Sequence, residues 1–94
     1  MEHNPYITLN DMTEITYSDI KTDGNGQEFV TIYFETPSED RGFCDASIDY
    51  PGGVFYKVHG YSDDKLKELE RHYKKIGALA FEFAKEEKEL CHNL

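Results

Sequence analysis

In the stretch IKTDGNGQEF, residues 20–29, acids, amides and two glycines stand close enough to hold calcium or to cradle a phosphate. An EF-hand loop needs oxygen ligands at positions 1, 3 and 5, a glycine at 6 and a bidentate glutamate at 12. With Gly24 in the sixth position, Asp19 is first and Asp23 fifth, but Lys21 takes the third and Val30 the twelfth. A lysine in the cage and no closing glutamate make a failed match. A phosphate loop needs a helix N-terminus directly after its glycines, and QEFVTIYF is rich in β-formers instead. TDGNG therefore reads as a hairpin turn whose glycines supply positive φ.

Other chemistry is thinner. Cys91 and His92 adjoin, and His72 lies several turns earlier, without the paired two- to four-residue spacings of a zinc site. No metal is expected, and Cys44 reads as a small buried hydrophobe. His59 can meet Asp45 or Asp49 across a sheet, the best acid–base arrangement in the chain. No Ser or Cys nucleophile with an orienting third group accompanies it. The expectation is a protein that is not an enzyme and uses no cofactor.

The elements that must position these residues show in the periodicity. TEITYS (13–18), EFVTIYFE (28–35), FCDASIDY (43–50) and VFYKVH (54–59) alternate with the period of two that marks strands. Ile15, Tyr17, Val30, Ile32, Phe34, Cys44, Ala46, Ile48, Tyr50, Val54, Tyr56 and Val58 are expected on the inner face. PGG (51–53) is turn chemistry. From residue 62 the period becomes helical, with Ser62 as N-cap and Asp63 and Asp64 at the positive end of the helix dipole. Leu66, Leu69, Tyr73, Ile76, Ala80, Phe83 and Leu90 form one stripe, which Glu87 shares. Gly77, Ala80 and Ala84 are small enough to let the helix approach a sheet closely.

The predicted fold is α+β in a single domain, 1–94. Residues 12–60 form a four-stranded antiparallel meander, and one long C-terminal helix, 62–91, packs on one sheet face. Residues 1–11 are an N-terminal segment in which YITL can add an edge strand. The buried set is expected to be Ile32, Phe34, Ile48, Val58, Leu69, Ile76 and Phe83.

Charge narrows the partners. The net charge is −9, unevenly spread: residues 1–64 carry 13 acids against three bases, and residues 65–94 six acids against seven bases. No basic face exists to neutralise phosphates, so direct nucleic-acid binding is not expected, and an acidic membrane surface would repel the chain. No apolar run reaches the roughly 18 residues of a membrane span. The opening MEHNPYITLNDM is not a secretory signal, and two cysteines make no disulfide framework, so a cytoplasmic location is expected.

The outward sheet face gathers Phe29, Tyr33, Phe43 and Phe55 with Glu14, Glu35, Asp45 and Asp49. A solvated antiparallel face normally carries polar residues, so four rings there mark a contact surface, unless residues 1–11 fold over it. RNA-binding sheets surround such rings with Lys and Arg; here the neighbours are carboxylates, and the expected partner is a basic protein, such as a nucleic-acid-binding enzyme. In size and charge the chain resembles the small acidic inhibitors that phages and mobile elements direct against host nucleic-acid enzymes. Anti-CRISPR and anti-restriction proteins are examples, some of them nucleic-acid mimics. The resemblance covers no motif and transfers no residue. The competing reading is a structural homodimerisation domain that buries its aromatic sheet face.

Overall fold

The computed structural model describes residues 3–40 and 42–92, the side chains of Cys91 and His92 excepted. Six strands, β1 (Asn4–Thr8), β2 (Glu14–Tyr17), β3 (Lys21–Thr22), β4 (Glu28–Ser38), β5 (Gly42–Tyr50) and β6 (Phe55–His59), precede one helix, α1 (Asp63–His92). The sheet is antiparallel in the order β1-β2-β4-β5-β6, with β3 also paired to β4. The meander is as predicted, with two more strands: YITL does add an edge, and Lys21–Thr22 is a two-residue arm of the β3–β4 hairpin.

The turn of that hairpin shows why IKTDGNGQEF folds as it does. Asp23 accepts the amide of Gly26 on its carbonyl and donates its own amide to Gln27. Its carboxylate takes the amides of Asn25 at 2.8 Å and Gln27 at 3.0 Å, an Asx turn that uses the acid on the backbone. Gly26 supplies the positive φ, +81°.

Ile15, Tyr17, Val30, Ile32, Phe34, Ala46 and Ile48 line the inner face, and Leu69, Tyr73, Ala80 and Ala84 of α1 close on them. At 1.5 Å per residue the 30-residue helix spans about 45 Å, which matches the 45 Å long axis of the molecule. Residues 85–90 are exposed, yet the end of the helix stays tied to the sheet, where Lys85 and Lys88 reach Glu28 of β4 at 3.6 and 3.1 Å. Ser62 caps the first turn, its hydroxyl accepting the Lys65 amide at 3.1 Å. Glu87, which shares the apolar stripe, accepts the hydroxyl of buried Tyr17 at 2.7 Å.

Two core assignments are corrected. The buried stripe of α1 runs through Leu69, Tyr73, Gly77, Ala80 and Ala84. Ile76 is half-buried, and Phe83 is turned to the flank and 41% exposed. Small residues hold the centre because Tyr50 presses its ring there: a Cβ on Gly77 would come within 2.6 Å of it. In the first residues of β6, before a bulge, the phase is opposite to the alternation expected. Phe55 packs inward, its ring centroid 6.1 Å from that of Phe34, while Val54 is 75% and Val58 36% exposed. Ser47 pairs with Tyr56 and Asp45 with His59, so Lys57 and Val58 together oppose Ala46. Such a bulge flips the outward side along one strand, and Lys57 carries its positive φ of 52°. His59 thus points outward as expected, and Tyr56 does so against expectation.

Candidate functional site

Strand pairing lines up the outward residues in rows across the sheet. Glu14 of β2 pairs with Glu35 of β4, Glu35 with Asp45 of β5, and Asp45 with His59 of β6. Directly opposed residues on one face have Cβ atoms about 4.5–5.5 Å apart. Three carboxylates therefore stand side by side on three neighbouring strands. Among the described residues only the end of the row is answered, where His59 Nδ1 lies 2.9 Å from an Asp45 carboxylate oxygen. Like charges directly opposite destabilise a sheet, so stability does not explain the row.

The second row is Thr16, Tyr33, Ser47 and Tyr56. His3, ahead of β1, stacks on Tyr33 with ring centroids 3.8 Å apart and 14° between planes. Between the two rows lies a groove of about 380 Å³, walled by Glu14, Glu35 and Asp45 on one side and by Tyr33, His3 and Ser47 on the other. Carboxylates beside an aromatic face suit a cation: a guanidinium can bond the acids and lie on the ring.

In the third row Asp49 is already occupied. Its Oδ1 accepts the hydroxyls of Thr31 at 2.8 Å and Tyr56 at 2.7 Å. Burial foremost, aided by the Asp49 bond and charge, raises the Tyr56 hydroxyl above its ordinary pKa. Lys21 donates to Thr31 Oγ1 at 3.3 Å and holds its ammonium 6.0 Å from the Phe29 ring centroid.

The eight expected contact residues thus divide. Glu14, Tyr33, Glu35 and Asp45 meet around the groove. Asp49 and Phe29 lie farther along the same face, flanking Pro51 and Gly52. Phe43, 56% exposed, stands at the tip of the β4–β5 hairpin. Phe55 is not on the face at all, and Tyr56 takes its place because of the bulge. Residues 3–11 do not cover the face, since β1 pairs at the sheet edge and His3 is what reaches over. His3 carried no periodic signal, because its position follows from the register of β1 on β2.

Of the acid–base pairs considered, His59 meets Asp45 and not Asp49. Among the described residues no group of three His, Cys, Asp or Glu side chains is placed to hold a metal ion. Cys91 and His92, whose spacing argued against a zinc site, have side chains outside the described residues. No described helix is long and apolar enough to cross a membrane. No protein-family model, curated protein or solved structure matches this chain, so the reading of the face rests on its own chemistry.

Proposed function

We propose that this is a non-catalytic, acidic protein-binding domain that docks its outer sheet face on a basic, nucleic-acid-binding protein and inhibits or modulates it. The observation that carries the reading is the Glu14–Glu35–Asp45 row beside the Tyr33 groove. Neighbouring strands lie about 4.8 Å apart, and one strand of DNA carries a charge per about 3.4 Å of helix axis. The row offers a basic groove a comparable density of negative charge. Charge would speed encounter and set orientation, while Tyr33, Phe43 and Phe29 supply buried area. Within this class, a nuclease inhibitor of the phage or mobile-element kind, acting as a nucleic-acid decoy, is the finer reading.

The test is capture from the native host on immobilised protein, with the Glu35→Lys/Asp45→Lys variant as control. A basic nucleic-acid-binding protein should be retained by the parent, lost on the variant, and displaced by oligonucleotide. With that partner, the variant should slow association about tenfold or more and flatten its salt dependence. Tyr33→Ala should mainly speed dissociation, by about 2 kcal/mol. An acidic partner, or an association rate indifferent to reversal of both acids, refutes the proposal.

A further inference from the structure

Beside its buried stripe the helix carries a second apolar line. Ile76, Leu79, Phe83 and Leu90 recur at steps of three, four and seven, the a/d spacing by which two helices interlock. Ile76 is half-buried, while Leu79 and Leu90 remain 44% and 65% exposed. The sheet answers this line through Tyr6, whose ring centroid is 6.1 Å from that of Phe83. The remaining width is uncovered.

The charges along this flank run in a fixed order. Arg71 and Lys75 precede Leu79, and Glu82 and Glu86 follow it. None of the four makes an ion pair with a described residue. A parallel neighbour would set lysine against lysine and glutamate against glutamate. An antiparallel neighbour of the same sequence sets the basic half of each helix against the acidic half of the other.

We propose that a second copy of this chain docks on this line, helix against helix and antiparallel, about a two-fold axis between Gly77 and Ala78. In that register Ile76 meets the second copy's Leu79, Phe83 meets its His72, and Lys75 meets its Glu82. Each contact occurs twice, as an isologous interface requires. The Glu14–Glu35–Asp45 row lies on the opposite side of the sheet, so this dimer and the docking of a basic partner stand or fall separately.

Sedimentation of the full chain at about 0.1 mM should give twice the 10.9 kDa of one chain. Leu79→Glu, at a position outside the buried stripe and 44% exposed, should weaken the dimer at least about tenfold while leaving circular dichroism and melting of the monomer intact. Lys75→Glu and Glu82→Lys should each weaken it several-fold, and the two together should restore it, because the swapped pair is again complementary. A monomeric parent overturns the proposal and hands the flank to some other helix. A double swap that fails to restore the dimer refutes the antiparallel register. A dimer lost on Tyr33→Ala but untouched by Leu79→Glu moves self-association to the sheet face.

Discussion

Glu35 sits between Glu14 and Asp45 in the carboxylate row, so Glu35→Gln removes two like-charge contacts while keeping the shape of the side chain. Among the described residues it breaks no other contact, since Glu35 has no hydrogen bond or ion pair with any of them. Two unit charges about 5.5 Å apart in water repel by about 0.75 kcal/mol. Screening with a Debye length of about 8 Å roughly halves that at physiological salt. Two contacts then give about 0.8 kcal/mol, within the range of cross-strand pairs. For a domain of this size that gain raises Tm by about 3–6 °C.

Urea and thermal unfolding at low salt and at 1 M salt supply the assay. The gain should be largest at low salt and nearly vanish at 1 M, where the Debye length is about 3 Å. Glu70→Gln is the control, since Glu70 faces Lys74 at 3.9 Å and no acid row; it should give no gain. Loss of stability in Glu35→Gln, or a gain that survives 1 M salt, would refute the claim that the row is electrostatically unfavourable. The same variant should weaken capture of the basic partner, so stability and binding should move in opposite directions.

Two further outcomes test the packing beneath the face. Gly77→Ala should destabilise by up to about 2 kcal/mol, because overpacking against the Tyr50 ring costs about 1–3 kcal/mol and is offset by the roughly 1 kcal/mol that alanine gains in a helix; a higher Tm than the parent would sink the close approach at 2.6 Å. Tyr17 provides a pH test: burial foremost, with the hydrogen bond and charge of Glu87, pushes its hydroxyl up to about 12. The native state then keeps a proton that the unfolded chain releases, so this contribution is whole below pH about 10 and disappears as pH rises through about 12. A shift of two units corresponds to about 2.7 kcal/mol. Tyr17→Phe should flatten part of the alkaline limb, the rest belonging to Tyr56, Tyr61 and Tyr73, whose hydroxyls are raised in the same direction. An unchanged limb refutes the assignment.

The fold was legible wherever one period covered a whole element. In EFVTIYFE and FCDASIDY the alternation placed Val30, Ile32, Phe34, Ala46 and Ile48 on the buried side, and the long β4–β5 ladder keeps that phase without a break. It failed in VFYKVH, where Phe55 and Tyr56 are equally good strand residues on either face. A bulge there depends on pairing with β5, and no local pattern encodes it. The helix stripe was legible in period and slightly misjudged in angle. Phe83 and Ala84 are neighbours on the helix and only one can face the sheet; Ala84 does, while Phe83 turns to the flank beside Tyr6 (ring centroids 6.1 Å apart). Four of the eight contact residues came together because outward positions on β2, β4 and β5 share one register. His3 and Lys21 reach the face through pairings that no periodicity announces.

Charge separation along the chain becomes charge separation across the molecule. The acid-rich segment 1–64 builds the sheet, and the nearly balanced segment 65–94 is the helix behind it. A basic partner therefore experiences a field that turns the outer face toward it before contact. With the helices paired antiparallel through their flanks as proposed, to the side of the stripe that faces the sheet, the two acid faces stand side by side and point the same way. Such a dimer gains no affinity for a partner whose one basic groove admits a single face. It gains avidity where two grooves stand on one assembly or one surface. Leu79→Glu should then leave the association rate per face unchanged in solution and shorten retention on a densely coated surface. A change in the solution rate itself would mean that the helix flank, and not the sheet face alone, touches the partner.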